Sequence, residues 1–354
     1  MRKLLIINKA PYGHLVDSYK WCLYLRTDYD ITFVGLGNPV PGTDADGIHV
    51  VSVRTRKSRL LTGAVFLASC LYHLFAFRGI AIVVFFEQCG ILKRLFPRKR
   101  IHLDIRTLSV SKDSRHREHY DQLVRKAVLS YDSVSAISEG VLKRLPVENK
   151  KSLVLPLGSD VISTARKQYE NIRLLYVGTF DGRDLHKTIE GLSLFAARHP
   201  SADIAYHIVG YGFGDEEKKL KRLSASLRLE DKIVFHGRIP HENLSDIMGQ
   251  CNVGVCFVPV TDYYNIQPPT KTYEYAMSGL FVIATATDEN KKLVTPDNGI
   301  LISDDAESFA SALEHVEAHK RRFEERKIRA SLHDCTWKAI VDDTLAPFLK
   351  SLRP

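Results

Sequence analysis

The sequence lacks the cysteine patterns of secreted scaffolds and of zinc proteins. Its six cysteines are scattered among 354 residues, with no Cys-x-x-Cys pair and no histidine cluster at zinc spacing. This excludes a disulfide framework, and we expect reduced core thiols in a cytoplasmic protein and no metal site. Low-complexity segments and short tandem repeats are also lacking, which excludes a disordered chain and a repeat array.

The chain also lacks a clear targeting or membrane-spanning segment. The apolar run at the N-terminus is short and ends in Asn8, which suits a first buried strand better than a signal peptide. Residues 60–77 provide about 18 mostly apolar positions, the lower limit for a span. Small and polar residues such as Gly63 dilute this stretch, and a β-branched run at 80–86 follows it. We therefore expect a helix and then a buried strand.

Acidic residues are fewer than basic ones, which gives a formal net charge of +9. Such an excess favours an anionic partner: a nucleic acid, a nucleotide, a phospholipid or a phosphorylated substrate. No nucleic-acid-binding motif is present, so we do not expect nucleic acid. Basic residues concentrate at 54–59 and 93–100, on both sides of the apolar segment. They are either an ordinary solvated surface or a surface that meets an anionic membrane.

What the sequence does contain is an alternation of strand-length apolar runs and helix-length amphipathic segments. In the first half, strands are predicted at 4–8, 31–36, 48–53, 80–85, 101–105, 133–137 and 153–155. In the second half, they are predicted at 172–177, 203–209, 233–236, 253–258, 281–284 and 299–302. Nearly continuous apolar strands separated by helices indicate parallel sheets that are covered on both faces.

The alternation pauses at 156–169, where proline, glycine and serine occur without a period, and this stretch is predicted to be a linker. The predicted fold class is therefore α/β, with two doubly wound parallel-sheet domains in series. We place the first domain at 1–160, the second at 170–330 and a C-terminal helical segment at 331–354.

Two loops after predicted strands of the second domain carry glycines that let a ligand approach the backbone. Gly178 precedes Arg183, which stands near a helix N-terminus whose amides favour anions. The forked guanidinium of Arg183 suits a diphosphate, although a pair with a neighbouring aspartate is the plainer alternative. Gly210 and Gly212 follow the next strand without meeting the dinucleotide spacing. They are either turn glycines or a bare surface for a base or ribose.

The richest segment follows the predicted strand at 253–258. Prolines stop any helix before Thr270, which is predicted to be the N-cap. Lys271 and Glu274 then lie one turn apart. A glutamate there can accept both hydroxyls of a ribose, and the helix N-terminus can bind phosphate. A surface Lys–Glu pair is the alternative, but residues 275–277 indicate a buried helix in which a glutamate needs a partner or a ligand.

These segments, in this order over residues 173–302, resemble the nucleotide-binding domain of retaining GT-B glycosyltransferases of the family 4 type, the glycosyl transferases group 1. The resemblance is carried by LLYVGTFDGRDLHKTIEGL, YHIVGYGFGDEEKKL, IVFHGRIPHENLSDIMGQCNVGV, PPTKTYEYAMSGLFVIAT and DNGILI. The first half resembles the family more loosely, through SAISEGVLKRL and VLPLGSD. The resemblance implies two Rossmann-like domains facing each other across a cleft, with a C-terminal helix that crosses back to the first.

The resemblance also implies roles for individual residues. Glu274 matches the glutamate that binds the ribose of the sugar nucleotide, and Arg183 takes the place of a lysine that grips the diphosphate. Further positions implied for the nucleotide are Gly13 in the first loop, Thr179 where relatives often have an arginine, and Arg238 and Ile239 beside the base.

Two departures from the family concern the donor sugar and the first domain. Relatives often have a second glutamate eight residues before Glu274, where this chain has Ile266, although the chain fits a Pro-x-Lys-x-x-Glu variant. Many relatives also have a histidine after the strand that corresponds to 101–105, and in this chain that strand ends in HLDIRTL. Asp104 and Arg106 are the nearest catalytic candidates there, with a structural Asp–Arg pair as the alternative.

The resemblance implies a retaining hexosyltransferase that moves a sugar from a nucleoside-diphosphate sugar to a saccharide or lipid-linked saccharide in bacterial surface polysaccharide synthesis. Arg183 and Lys271 would stabilise the leaving diphosphate, which itself takes the acceptor's proton, so neither a general base, a metal nor another cofactor is expected. The alternatives are a non-catalytic nucleotide-binding paralogue and a sugar-nucleotide 2-epimerase. The expected location is the cytoplasm, peripherally on the inner face of the plasma membrane.

Overall fold

The computed structural model describes residues 2–352, and the chain divides into two compact units. The first unit comprises residues 1–158 and 337–354, and the second comprises residues 159–336. The predicted linker at 156–169 is divided between the units. Its later part packs on the second unit, where the Tyr169 hydroxyl donates a hydrogen bond to the carbonyl of Gly279 (2.7 Å).

Seven parallel strands form the sheet of the first unit. They are β1 (Arg2–Asn8), β2 (Tyr29–Leu36), β3 (Ile48–Val53), β4 (Ile80–Val84), β5 (Arg100–Ile105), β6 (Ser133–Ala136) and β7 (Lys151–Val154). Their order across the sheet is β3-β2-β1-β4-β5-β6-β7. The chain leaves β1 in one direction and returns at β4 in the other, so the switch point of this sheet lies between their carboxyl ends.

The helices that connect these strands are α1 (Val16–Leu25), α2 (Arg59–Ala76), α3 (Gly90–Leu95), α4 (Ser114–Val128) and α5 (Glu139–Leu142). Among them, α2, α4 and α5 begin at side-chain caps. The Ser58 hydroxyl accepts a hydrogen bond from the N–H of Leu61 at the start of α2, and the Asp113 carboxylate accepts two from the first turn of α4. The short α3 and α5 are absent from the prediction because one or two turns show no detectable helical period.

Six parallel strands form the sheet of the second unit. They are β8 (Ile172–Thr179), β9 (Ile204–Tyr211), β10 (Ile233–Gly237), β11 (Val253–Cys256), β12 (Phe281–Thr285) and β13 (Gly299–Ile302). The helices are α6 (His186–Arg198), α7 (Glu216–Ser226), α8 (Leu244–Gln250), α9 (Thr270–Met277), α10 (Asn290–Leu293), α11 (Ala306–His319) and α12 (Glu325–Ala330). The strand order is β10-β9-β8-β11-β12-β13, so the switch point lies between β8 and β11. Two doubly wound parallel sheets confirm the predicted fold class.

A break at Phe323 separates α11 from α12. The structure ends α11 at His319 and resumes at α12, because Phe323 leaves the helical conformation with an extended backbone. The Phe323 ring stacks on Phe281, with centroids 4.0 Å apart, and meets Tyr169 edge-on. Burial of this ring therefore outweighs local helix propensity.

The C-terminal stretch is helical and belongs to the first unit. It contains α13 (Trp337–Ala339), a π-helical segment (Ile340–Leu345) and α14 (Ala346–Ser351). Val341, Leu345 and Leu349 are fully buried in the core that β1, β2 and α1 form. A Cβ added to Gly158 would lie 2.8 Å from the Cα of Trp337, so glycine is required where this stretch joins the unit.

Candidate active site

The carboxyl ends of β8 and β9 present bare backbone at the switch point of the second sheet. Gly178 and Gly210 are register partners in neighbouring strands. A Cβ on Gly210 would lie only 1.8 Å from the carbonyl oxygen of Gly178, and both glycines have positive φ. Neither position therefore tolerates a side chain. The glycine pair keeps this edge of the sheet open in the crevice where ligands of open α/β sheets bind.

Arg183 lies in the loop after β8 and has an incompletely satisfied guanidinium. Its Cζ lies 4.8 Å from the centre of the Tyr264 ring. Its Nε is buried and has no hydrogen-bond partner within residues 2–352. No ion pair joins Arg183 to a neighbouring aspartate in the part of the chain that the structure describes; Asp184 instead lies 3.7 Å from Lys187. A buried donor without a partner is costly unless a ligand completes it.

Lys271 lies in the first turn of α9 and faces the same edge of the sheet. Its Nζ lies 4.1 Å from the centre of the buried Tyr176 ring. A Cβ built on Gly178 would lie 3.1 Å from this Nζ, so the ammonium also approaches the bare backbone of β8. Burial, aided by the nearby charge of Arg183, lowers the pKa of Lys271 to about 8. Two cations thus converge on one place that is poorly solvated.

The start of α9 offers further donors. Thr270 was the predicted N-cap, and this prediction is wrong: Pro269 occupies that position in an extended conformation, and Thr270 is the first helical residue. Proline has no side-chain acceptor, so no side chain caps the helix. The N–H groups of the first turn therefore remain available to an anion.

Glu274 lies one turn after Lys271, with its side chain 19% exposed. Its Oε1 lies 3.3 Å from Nε2 of His241, in the short 3-10 helix that follows β10. Lys271 and Glu274 form no ion pair among the described residues, so the surface-pair alternative is not what the structure has. His241 is not recognisable from the sequence alone, where the one indication is its position shortly after Arg238 and Ile239.

Aromatic side chains accompany the glycines after β9. The Arg238 guanidinium lies 5.4 Å from the centre of the Tyr211 ring, and Phe213 meets Tyr211 edge-on, with centroids 5.8 Å apart. Phe213 is 70% exposed. Gly212 is required because a Cβ there would lie 2.7 Å from the Cβ of Glu216. The sequence predicts a role for the glycines of this loop but not for its rings, which are flat surfaces on which a base can stack.

Tyr275 fixes the position of α9 against the sheet. The backbone N–H of Val177 donates a hydrogen bond to its hydroxyl (2.8 Å). A Cβ on Gly254 in β11 would lie 2.3 Å from the Tyr275 ring, so the ring packs directly on that strand. Because Tyr275 follows Glu274 in the chain, this packing sets where the glutamate points.

The loop before α9 contains Ile266, which stands where the family resemblance implies a second glutamate. Ile266 is buried, and the backbone N–H of Glu289 donates to the carbonyl of Asn265 (3.2 Å). The side-chain oxygen of Asn265 is buried and has no hydrogen-bond partner within residues 2–352. Asn265 therefore offers, like Nε of Arg183, a buried polar atom that a ligand can complete.

The remaining predicted positions are Thr179, Ile239 and Gly13. Thr179 ends β8, and its carbonyl accepts a hydrogen bond from the Tyr176 hydroxyl (2.7 Å). Ile239 is half-buried after β10. Gly13 belongs to the first unit, in the turn between β1 and α1, with φ +85°. A Cβ on Gly13 would lie 2.2 Å from the Thr43 methyl group, so the turn requires glycine.

Asp104 and Arg106 belong to a buried polar network at the end of β5 in the first unit. Asp104 is inaccessible to solvent and accepts a hydrogen bond from the Ser135 hydroxyl. Arg106 pairs with Asp17 and lies 3.7 Å from Asp104. Burial raises the pKa of Asp104 to about 6, against the opposing effects of Arg106 and Ser135.

His102, unremarked in the sequence analysis, extends this network. Its Nε2 lies 2.8 Å from Oγ of Ser135 and its Nδ1 lies 3.0 Å from Oγ of Ser133. Burial lowers the pKa of His102 to about 3, so the ring is neutral. Because the Ser135 hydroxyl donates to Asp104, its oxygen accepts from Nε2–H of His102. The network thereby fixes the rotamer of Asp104.

No group of three or more His, Cys, Asp or Glu side chains suited to hold a metal ion occurs within residues 2–352. All six cysteines are free. The cations and donors assembled at the second switch point suit a phosphorylated ligand.

Known proteins share this architecture. Residues 171–319, inside the second unit, match the family described as Glycosyl transferases group 1. Sucrose-phosphate synthase from Thermosynechococcus elongatus has a TM-score of 0.77 and 18% identity, with 99% of both chains covered. HepE from Anabaena, solved with UDP and glucose, has a TM-score of 0.74 and 15% identity over 99% of this chain and 100% of that one.

A lipopolysaccharide outer core galactosyltransferase, WaaB, has a TM-score of 0.68 and 15% identity, again with 99% of both chains covered. No curated protein sequence matches the chain. The structural likeness extends over both units, and the sequence likeness is specific to the second.

Proposed function

Because residues 171–319 form a domain of the glycosyl transferases group 1 family in a chain with the GT-B fold, we propose that this protein is a retaining glycosyltransferase. It takes a hexose from a nucleoside-diphosphate sugar held at the second switch point. It transfers that sugar to a saccharide or lipid-linked saccharide acceptor in bacterial surface polysaccharide synthesis.

The observation that carries the proposal is the convergence of Arg183 and Lys271. Arg183 has a buried Nε without a partner among the described residues, and its charge helps to lower the pKa of Lys271. Two such cations repel each other until an anion lies between them. A diphosphate supplies two negative phosphates and many acceptor oxygens, so it satisfies both side chains and the uncapped N-terminus of α9.

The rest of the nucleotide fits the neighbouring groups. Glu274 is the carboxylate that would accept the ribose hydroxyls, and His241 beside it fixes its rotamer. The Tyr211 and Phe213 rings, with Arg238 over Tyr211, offer stacking surfaces for the base. UDP is the first nucleotide to test because HepE, a structure with the same fold, was solved with UDP and with UDP-glucose.

The reaction needs no protein base in this proposal. The bond from the anomeric carbon to the diphosphate oxygen breaks, and the acceptor oxygen bonds to that carbon on the same face. The acceptor's proton passes to the departing diphosphate. Arg183, Lys271 and the α9 amides stabilise the charge that develops on the leaving group.

In this proposal the same cations neutralise the diphosphate in place of a metal ion, so turnover should survive excess EDTA. Loss of turnover that manganese or magnesium restores would contradict this.

Asp104 and Arg106 enter the proposal as positioning residues. Asp104 has no surface on which a substrate could bind, so it acts by holding Arg106 and Ser135 in place. Recognition of the acceptor is assigned to the first unit. The proposed location is the cytoplasm.

The experiment that tests the function is a thermal-shift screen of the full chain against nucleoside diphosphates and their sugar conjugates. A nucleotide present at a hundred times its Kd stabilises the native state by about 2.7 kcal/mol. No shift with any nucleoside diphosphate would overturn the donor site.

Two alternatives give different products. A non-catalytic paralogue binds the nucleotide but leaves the sugar conjugate intact, so even slow release of free nucleoside diphosphate excludes it. A 2-epimerase returns a sugar nucleotide of changed configuration, which proton NMR of the recovered conjugate detects. That chemistry needs carboxylates and histidines that act as acid and base, whereas the Glu274 carboxylate at this switch point contacts His241 and is assigned to the ribose.

A further inference from the structure

Helix α2 of the first unit is apolar on the side that faces away from the protein. It is long and apolar enough to cross a membrane by length and composition, yet only 22% of it is buried. The buried side chains are Thr62, Phe66, Cys70 and Leu74, at intervals of four residues, and they form one narrow stripe toward the sheet. On an ordinary surface helix, the face opposite such a buried stripe carries charged and polar residues.

The exposed side of α2 instead carries leucine and aromatic side chains. Leu60 is 88% exposed, Phe75 77% and Tyr72 69%. The other exposed positions between Leu60 and Phe75 are Leu61, Ala64 and Ala68, and no Asp, Glu, Lys or Arg occurs between Leu60 and Ala76. By helical periodicity these side chains share one face, opposite the buried stripe. The face extends along a helix of about 27 Å, which is a larger apolar patch than isolated surface residues make.

Cations lie at both ends of this face. Arg54, Arg56, Lys57 and Arg59 lead into the helix. At its other end a cavity of about 730 Å³ is lined by His73, Ala76 and Phe77 of the helix region together with the cations Arg2, Lys3, Arg78 and Arg100. None of these eight Arg and Lys side chains has an ion-pair partner among residues 2–352.

The loop before β5 is tied to the same end of the helix. The Lys99 ammonium donates hydrogen bonds to the carbonyls of Phe75 (3.0 Å) and Phe77 (2.7 Å), which belong to the last turn of α2 and the residue after it. Arg98 and Arg100 flank Lys99. The cations at this end are therefore held beside the apolar face rather than spread at random over the surface.

We propose that the outer face of α2 docks on an anionic phospholipid bilayer, with the helix axis parallel to the membrane plane. Leu60, Tyr72 and Phe75 enter the boundary between headgroups and acyl chains, and the cations at both ends meet lipid phosphates. An apolar protein partner would leave the cations unmatched, and a nucleic acid would leave the apolar face unmatched. The charge pattern selects the bilayer, and the proposal is independent of the donor site.

The helix is a docking element and not a span. Phe66 and Cys70 are buried against the first unit. The Phe66 ring packs edge-on against the Phe86 ring, with centroids 5.3 Å apart. The next element, β4, is paired on both sides with β1 and β5. Insertion of α2 across a membrane would expose this stripe and pull a central strand from the sheet.

The test uses the full chain and flotation with vesicles of phosphatidylcholine alone or mixed with phosphatidylglycerol. The chain should float with the anionic vesicles, remain behind with the neutral ones, and be released by high salt. Leu60→Ser/Phe75→Ser should reduce the bound fraction at least tenfold. Arg54→Glu/Lys57→Glu should reduce it similarly and weaken its salt dependence.

Matched controls lie in the second unit. Leu194→Ser/Val234→Ser removes exposed apolar side chains there, and Arg321→Glu/Arg322→Glu makes the same change in net charge as the basic variant. Both control variants should float like the original protein. All four variants should keep the melting temperature of the original protein and its increase with UDP.

Several outcomes would overturn the proposal. These are equal binding to neutral vesicles, equal loss in the control variants, and binding that resists salt and needs detergent. In a fourth outcome, the chain binds no vesicles and instead forms dimers at high concentration, and Leu60→Ser/Phe75→Ser abolishes these dimers. That outcome would assign the face to a second copy of the chain.

Discussion

Lys271 and Tyr176 form a cation–π pair at the carboxyl edge of the second sheet, with Nζ 4.1 Å from the ring centre. The tyrosine is fully buried in β8, and the lysine comes from the first turn of α9. The ring face offsets part of the cost of keeping an ammonium away from water. It does not offset all of it, because burial and Arg183 still lower the pKa of Lys271 to about 8.

Lys271→Met should therefore stabilise the ligand-free protein and weaken its binding of nucleoside diphosphate. The folded-state pKa of about 8 is below the ordinary 10.5, so the protonated lysine destabilises the fold at neutral pH. That penalty disappears as the pH rises from about 8 to 10.5. Urea unfolding at pH 7 should show a higher free energy of unfolding for Lys271→Met, and the difference should shrink at pH 9.5.

The same substitution should change the pH dependence of binding. A bound diphosphate raises the pKa of Lys271, so affinity is highest below about pH 8 and falls above it. Loss of one charge-assisted hydrogen bond corresponds to about 1.5–3 kcal/mol, or roughly 10–150-fold in Kd. Calorimetry with UDP between pH 7 and 9.5 should show a decline that Lys271→Met lacks. Identical profiles for both proteins would place the lysine outside the site.

Glu274→Ala should abolish nucleotide binding and leave the fold intact. The carboxylate is the group proposed to accept both ribose hydroxyls, and a methyl group accepts none. His241→Ala is the control, because it removes the 3.3 Å contact to Glu274 but keeps the carboxylate. We expect a loss of more than about a hundredfold in UDP affinity for Glu274→Ala, and at most a few-fold for His241→Ala. Unchanged affinity in Glu274→Ala would refute the assignment.

Arg183→Ala should weaken the binding of the diphosphate nucleotide far more than the binding of the free nucleoside. The guanidinium is held over Tyr264 with an unused Nε, so its missing partner is expected to be phosphate rather than base or ribose. Arg183→Lys keeps the charge but loses the planar fork, and should recover only part of the affinity. Calorimetry with UDP and uridine separates the two contributions. Equal losses for both ligands would show that Arg183 acts elsewhere.

The sheets and the cationic part of the site could be predicted from the sequence, for identifiable reasons. Parallel buried strands leave continuous apolar runs, and glycines at strand ends mark close backbone approaches such as that of Gly210 to Gly178. The N-cap of α9 could not be predicted reliably, because Thr270 and Pro269 both suit a helix start and tertiary packing chooses between them. His241 and Tyr211 were missed because their relevance depends on contacts with Glu274 and Arg238, in other segments of the chain.

The spacing of Asp104 and Arg106 predicted that the two residues would be close, but it did not predict which other residues they contact. A strand places residues 102, 104 and 106 on one face, and the network with Ser135 and Asp17 follows only from the neighbouring β6 and α1. The complete burial of Asp104 comes from that packing, and the sequence around it gives no sign of it.

Asp104→Asn is the substitution that separates a retaining from an inverting mechanism. An inverting enzyme needs a base opposite the leaving group, and Asp104 is the carboxylate of the first unit that the sequence nominates for it. In the retaining reaction proposed here, the diphosphate takes the proton, and Asp104 only positions Arg106 and Ser135. Transfer by Asp104→Asn should then be reduced but measurable, and the product should keep the anomeric configuration of the donor, as read from its proton NMR coupling.

A second readout shows whether Asp104 acts through the fold. Its folded-state pKa of about 6 lies above the ordinary 3.8, so its contribution to stability is fully present below about pH 3.8 and is lost as the pH rises through 6. Asp104→Asn removes this titration, and urea unfolding from pH 4 to 7 should show a flatter profile than the original protein. A positioning role requires that flatter profile together with residual, configuration-retaining transfer. The contrary result has two parts: Asp104→Asn is inactive, and the unmutated enzyme gives a product whose anomeric configuration is opposite to that of the donor. That result would make Asp104 the base and would require the buried network to open during turnover.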